Sequence, residues 1–471
     1  MRENTLFRVL LVAVMALPAG VRAQEPAPAG QHARHQPSAP KATQAPEAEE
    51  SGPALTLEEL ERMALANNPT LKQASAEVRV AAGRAKQAGL YPNPTVGYLG
   101  EEIRGGRSRG GQQGFFIEQP IVLGGKLKRS RQVFEQERVQ AEAESEEQRL
   151  RVMNAVRMLY FHSLAAQESV AVRRKLARLA AEAVEVSRQL HNVGQADQPD
   201  VLQAEIEAQR AELMLIETEN RRQHAWTALA AVAGNPQLPL ARLAGRLEEN
   251  LPDIAPEQYI EDLVRNSPAV RIAEAGVRRA ELAVGRARRE AVPDLVLRGG
   301  LQQNRELLEA TGRPVGLQGF AEIGVQLKLF DRNQGGVESA RAELERAQAE
   351  ARRVELVLRE RSAALLRSYR DARAMAERYR AQMIPRAQRA YELYLAKYQE
   401  VAAAYPQVLI AQRTLFQLQT DYIEALEALQ TSSIALRGYL LTDGLEAPAR
   451  AGEMDLPVRE INIPMARPME K

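Results

Sequence analysis

The side chains that could carry chemistry are few and scattered. The chain has five histidines and no cysteine. Without cysteine there is no disulfide framework, thiolate metal site, sulfur nucleophile or acylated thiol. His32 and His35 stand in a Pro/Ala-rich stretch that reads as solvated linker. His162, His191 and His224 are far apart in the sequence, on what read as solvated helix faces. Gly124-Gly125-Lys126 has the end of a phosphate loop, but Leu127 replaces the Ser/Thr and Pro120 stands at the upstream glycine position. It reads instead as the turn between a strand and a helix. There is no His-Glu-x-x-His helix. Paired acids such as Glu146-Glu147 sit among arginines on helical faces. Trp226, Tyr391, Tyr394 and Tyr398 recur at helical spacing, which predicts packing. Neither an enzyme, a cofactor nor a resident metal site is expected.

The elements that would position any site are long helices. Ala, Glu, Arg, Leu and Gln dominate, and aromatics make up 4% of the 471 residues. The 63 basic and 61 acidic side chains leave a net charge of +2, too little excess to neutralise phosphates, so a nucleic-acid partner is not expected. Residues 1–23 read as a secretory signal, with Arg2 and Arg8 before the apolar run Val9–Leu17 and Val21-Arg22-Ala23 as the cleavage site. Residues 24–54 read as a disordered Pro/Ala-rich leader. Beyond the signal no stretch reaches the ~18 apolar residues of a spanning helix. The mature chain is therefore soluble, or it crosses a membrane as strands.

From Leu55 the chain repeats itself. Asn67-Asn68-Pro69-Thr70-Leu71 matches Asn266-Ser267-Pro268-Ala269-Val270. Pro94-Thr95-Val96 matches Pro293-Asp294-Leu295 at the same offset, and Pro199-Asp200-Val201-Leu202 matches Pro406-Gln407-Val408-Leu409 at a slightly larger one. Three matches in order indicate duplication, with one copy over 55–245, a second over 256–445 and an extension over 446–471. Each copy predicts a helix (about 56–88 and 257–289), a pair of strands, a very long helix, a tip and a return helix. Ala321, Ile323, Val325, Leu327 and Leu329 alternate with Phe320, Glu322, Gly324, Gln326 and Lys328, a strand with one apolar face. Leu295, Leu297, Gly299 and Leu301 match them on the partner, as do Val96, Tyr98, Phe115 and Ile117 in the first copy.

No Gly or Pro interrupts the chain between Gly125 and Gly194, enough for a helix of about 100 Å. Val172, Leu179, Val186 and Val193 recur every seven residues, with Leu176, Ala183 and Leu190 between them, which predicts a coiled-coil seam. Pro199 suits the start of the return helix, and a bend is expected at Pro385. Four strands cannot close a membrane barrel alone, and open sheet edges are not tolerated in lipid. If these strands cross a membrane, several chains share one barrel. The different-class alternative is a soluble periplasmic coiled-coil scaffold with no pore.

Over residues 55–445 the chain resembles the TolC-like outer-membrane efflux proteins. The residues that carry the resemblance are Asn68-Pro69, Tyr91-Pro92-Asn93-Pro94, Gln119-Pro120-Ile121 with Leu123-Gly124-Gly125-Lys126, Gly194 with Asp200-Val201-Leu202-Gln203-Ala204, and Leu329-Phe330-Asp331-Arg332-Asn333-Gln334-Gly335. The resemblance implies a mainly α fold with a membrane β-barrel contribution. A homotrimer would give four strands per chain to a twelve-stranded barrel in the Gram-negative outer membrane, above an α-helical periplasmic tunnel. The tips would meet a periplasmic adaptor (membrane fusion) protein and an inner-membrane pump of the resistance-nodulation-division type. The junctions at Gly124, Gly125, Asp331, Asn333 and Gly335 are most similar to the branch serving cobalt, zinc and cadmium efflux. Drug efflux and type I protein secretion are the alternative cargoes. One departure concerns the second tip. Val401, Ala403, Gln407 and Ile410 stand where the family's drug and protein channel carries a glycine, an arginine and two aspartates. Acidic groups remain at Asp197, Asp200 and Glu400. Rings of carboxylates favour cations in a pore, whereas an Asp197 or Asp200 side chain could equally cap the helix beginning near Pro199. Gly194, Asp197, Asp200, Glu400, Val401, Ala403 and Gln407 are the expected docking or gating positions.

Overall fold

A computed structural model describes residues 54–105, 108–109, 111–249, 251, 253–254, 256–307, 312–399 and 405–447, all within the unit Gly52–Lys471. The expected signal, the leader apart from Ala54, the tip residues Glu400, Val401 and Ala403, and the extension beyond Ala447 lie outside the described residues.

The first copy contains α1 (Leu57–Asn67), α2 (Pro69–Ala88), β1 (Thr95–Glu101), the short strands β2 (Arg104–Gly105) and β3 (Ser108–Arg109), β4 (Gln112–Ile121), α3 (Lys126–Asn192) and α4 (Gln198–Val232). The second contains α5 (Pro256–Asn266), α6 (Pro268–Arg289), β5 (Leu295–Leu307), β6 (Pro314–Val325), α7 (Gln334–Arg378), a π-helical turn (Tyr379–Met383), α8 (Ile384–Gln399) and α9 (Tyr405–Arg437). The same plan runs twice.

Each expected first helix is two helices broken before a proline. Pro69 has no N–H, so the helix cannot run through it. Asn68 turns extended there, and its side chain accepts from the Thr70 N–H at 2.9 Å. The Asn68 amide also donates to Val232 O (2.9 Å) and Gly444 O (3.3 Å), so one buried side chain ties α2, the end of α4 and the C-terminal segment together. In the second copy Ser267 breaks the helix at Pro268, but its buried hydroxyl makes no cap.

The 67-residue α3 is the spine, about 100 Å long at ~1.5 Å per residue. It packs on α2, α4, α6 and α9. The main core lies at its middle, where Val152, Val156 and Leu164 meet Leu60 of α1, Trp226 and Leu229 of α4, and Leu426 of α9. The Trp226 indole N–H donates to Leu238 O at 3.0 Å. Farther along α3 the seam differs from the expected heptad. Ala180, Val184 and Ser187 are buried, whereas Val186 and Val193 are exposed. A straight helix drifts ~20° per heptad, so the stripe that starts at Val172 rotates out of the contact.

The bend expected at Pro385 is the π-helical turn just before it. The Ile384 N–H donates to Tyr379 O, five residues back, and this wider turn makes room for the proline ring. The described part of the second tip begins again at Tyr405.

The main sheet has the order β1-β4-β5-β6, antiparallel throughout. The hairpin of each copy joins the other through β4 and β5. Strand β6 ends at Val325, so Leu327 and Leu329 lie beyond the ladder rather than in it.

Candidate functional site

The register sorts the sheet into two chemically different faces. One carries Val96 and Tyr98 on β1, Phe115 and Ile117 on β4, Leu297 and Leu301 on β5, and Leu317, Ile323 and Val325 on β6. All are exposed, Val96 by 71% and Ile323 by 72%. Removing such a side chain from water is worth about 1.5–3 kcal/mol, so this face calls for an apolar covering. Beyond β6, Leu327 and Leu329 are also exposed, and the adjacent Phe330 is 91% exposed.

The other face is polar. Thr95, Glu118, Arg298 and Glu322 form one row across the four strands, and Leu99, Gly114, Gln302 and Gln318 form another. Between them lies the row Gly97, Phe116, Gly300, Phe320. A Cβ on Gly97 would stand 2.4 Å from the Phe116 ring, and one on Gly300 would stand 2.7 Å from the Phe320 ring. The absent side chains let the two rings lie flat against the wall.

The strand–helix junctions hold the sheet on the helices. Gly124 and Gly125 both take left-handed backbone, and a Cβ on Gly124 would press on Val292 at 2.8 Å. Asp294, from the second copy, accepts from the Leu123 N–H (2.9 Å) and pairs with the buried Lys126 (2.7 Å). On the other side Asp331 accepts from the Asn333 N–H at 3.0 Å, and the Asn333 amide donates to Ala287 O at 2.9 Å. Asn333 is left-handed at the N-cap of α7. Gly335 has open space around it. Gly336 is the position that demands glycine, since a Cβ there would meet Asn333 Oδ1 at 2.3 Å. Lys126, quoted in the motif but given no role, joins Asp294 and Gly336 in carrying these junctions, and the latter two were not expected there. An acid opposite a lysine across a Pro-marked repeat boundary is the only trace they leave in the sequence.

At the far end, Gly194 closes α3 in a left-handed turn, with Gly194 N–H donating to His191 O and Gln195 N–H to Leu190 O. Asp197 occupies the N-cap of α4, but its carboxylate makes no capping bond, and Asp200 N–H donates to the Asp197 backbone oxygen. Gln407 is exposed in the first turn of α9. Tyr398 of α8 packs with Val184 of α3 and Ala204 of α4, so the first tip faces α8, and burial, then the charge of Asp200, push its phenol up. The Tyr398 and Tyr405 rings meet at a tilt, with centres 5.7 Å apart. Burial raises Tyr405 to about 12.

A cluster that sequence reading missed lies about two turns deeper. Glu207 of α4, 11% exposed, accepts from Arg413 of α9 and from Arg210 (3.2 Å), joining the two return helices. A cavity of about 480 Å³ opens beside it, floored by Leu176, Met214, Leu409 and Phe416. The signal was present in the duplication. With Pro199 aligned on Pro406, Arg413 stands where the first copy has Ile206. His162 is not isolated in space, because its Nδ1 meets Glu427 of α9.

Gly106-Arg107-Ser108-Arg109-Gly110 has the letters of a nucleophile elbow. An elbow sits between a strand and a helix, whereas here Ser108–Arg109 pairs with Arg104–Gly105 and β4 follows. Among the described residues no group of three or more His, Cys, Asp and Glu could hold a metal ion, and no helix is long and apolar enough to cross a membrane.

A sheet with one bare apolar face and one polar face, standing on coiled hairpins, matches a known family. The profile of the outer membrane efflux proteins fits residues 60–235 and 259–440. The chain belongs to that family. It is 30% identical over 380 residues to the cobalt-zinc-cadmium resistance protein CzcC of Cupriavidus metallidurans, covering 80% of this chain and 88% of that protein. It is 28% identical over 296 residues to the nickel-cobalt-cadmium resistance protein NccC of Alcaligenes xylosoxydans xylosoxydans, covering 61% and 64%. The solved structure of CusC, described as a transmembrane channel, superposes with a TM-score of 0.69 at 17% identity, over 82% of this chain and 91% of that one. The family is one of outer membrane efflux channels.

Proposed function

We propose that this outer membrane efflux protein is the duct of a tripartite pump, passively conducting divalent heavy-metal cations out of a Gram-negative cell. The observation that carries the duct is the two-faced, open sheet. Its apolar face suits lipid, its polar face suits water, and the outer edges of β1 and β6 have no strand partner among the described residues. Unpaired backbone groups in lipid cost several kcal/mol each. A ring of three copies, β6 of one beside β1 of the next, would pair every edge in twelve strands. The chain would reach the outer membrane by its signal over 1–23. The repeats over 55–245 and 256–445 would build the tunnel wall.

The metal cargo is supported by the likeness to CzcC and NccC, both metal-resistance proteins. The tips at Gly194, Asp197 and Asp200, with Gln407 and the undescribed Glu400, Val401 and Ala403, would meet a periplasmic adaptor (membrane fusion) protein. That adaptor would link the duct to an inner-membrane resistance-nodulation-division pump. Deleting the gene should sensitise cells to cobalt, zinc, cadmium or nickel. Unchanged metal tolerance with raised drug sensitivity would move the cargo to drugs and refute the metal reading.

A further inference from the structure

The polar face of the sheet is not neutral. Its charged residues are Glu101 on β1, Glu118 on β4, Arg298 and Glu306 on β5, and Glu322 on β6. Glu306 belongs to this face because the Asn304 amide, which lies on it, reaches the Glu306 carboxylate. Four glutamates thus stand against one arginine, in a chain whose total charge is slightly positive. The lone arginine is committed. Its guanidinium lies 4.1 Å over the Phe116 ring, and Glu322 is 4.0 Å away. Its Nε is sealed from water without an acceptor. Phe116 and Phe320, laid flat over Gly97 and Gly300, form an uncharged row beside it, so ions passing the Glu118–Arg298–Glu322 row would meet a narrow band of charge.

We infer that the barrel wall itself selects cations, with Glu118 and Glu322 as the specificity-determining pair and Arg298 as the spacer that holds them apart. This rests on the three-copy barrel proposed above. Closing the barrel with its apolar face to lipid turns this row inward on all three copies. The carboxylates then ring a water-filled passage, where charged rings set the sign of the permeant ion. Arg298 lies between them in the register. That arrangement limits the repulsion between Glu118 and Glu322.

The test is the reversal potential of the purified full-length protein in a planar bilayer under a tenfold KCl gradient. The wild type should pass potassium in preference to chloride. E118Q/E322Q should lower that permeability ratio about twofold or more, since it removes two carboxylates per chain from the ring that the ions pass. E118D should retain it, which separates charge from folding. R298Q should raise it. Equal selectivity in E118Q/E322Q and wild type would overturn the inference, as would selectivity lost in D197N/D200N alone. Inserted protein that never conducts would instead refute the shared barrel on which it stands.

Discussion

Glu144 offers the sharpest energetic test of how the helical wall is packed. It lies on α3, 7% exposed, against α2 and α6. Oε1 accepts from the Gln140 amide at 2.9 Å, while Oε2 is buried with no donor. Burial raises its pKa from 4.5 to about 7. The charges of Glu147 on its own helix and Glu77 on α2 add to the rise, and the Gln140 hydrogen bond and Arg279 of α6 oppose it. The folded protein therefore holds a proton that the unfolded chain has released. Stability falls as pH climbs from about 4.5 to about 7 and is level above that. The two values differ by about 3 kcal/mol per chain once Glu144 is ionised. Glu144→Gln removes the charge and keeps the shape. In detergent, urea unfolding followed by helical circular dichroism should show the variant level with wild type at pH 4.5. At pH 8.5 it should be more stable by roughly 2–3 kcal/mol, allowing for the partner Arg279 loses. A stability difference that does not change with pH would refute the argument that burial of this carboxyl opposes its ionisation.

Asn68→Ala should cost about 2–3 kcal/mol, because it removes a cap and leaves the buried Val232 carbonyl without a donor, while Gly444 O keeps only the long Thr70 hydroxyl contact; Ser267→Ala should stay within about 0.5 kcal/mol, and urea midpoints decide between them. Gly336→Ala should lower the thermal midpoint by forcing Asn333 out of its contact, while Gly335→Ala should leave it unchanged or raised. The Glu427 hydrogen bond raises the pKa of His162. The stabilisation is full below about 6.5 and is lost as pH rises through the raised value. His162→Gln should thus lower the midpoint at pH 5.5 and leave it unchanged at pH 8.5, with a small effect because the ring is partly exposed.

Element type was legible because it is written locally. Alternation at Ile323 and Val325 and the run without Gly or Pro between Gly125 and Gly194 each depend on neighbouring residues, although the breaks at Pro69 and Pro268 divide helices expected to be continuous. The phase of the α3 seam was not, because which stripe is buried depends on where α4 and α9 cross it. Nor were the ties from Asn68 to Gly444 and from Lys126 to Asp294, which join residues 376 and 168 positions apart. Asp197 shows the same limit in reverse. Its place before Pro199 predicts a capping side chain, yet only its backbone takes the cap position. The Arg413–Glu207 contact became meaningful only once the two return helices were seen side by side.

In the proposed barrel one chain is an open piece of a wall that two more copies complete. Because the chain has no cysteine, Val96→Cys on β1 and Ile323→Cys on β6 place its only thiols near the two free edges. Within one chain these strands are three spacings apart, about 14 Å at ~4.8 Å per spacing, out of reach of a short bismaleimide. Treating outer membranes from cells expressing this variant should give covalent dimers and a closed trimer on a denaturing gel, with nothing larger. Monomer alone, or a ladder running past three, would contradict the shared barrel.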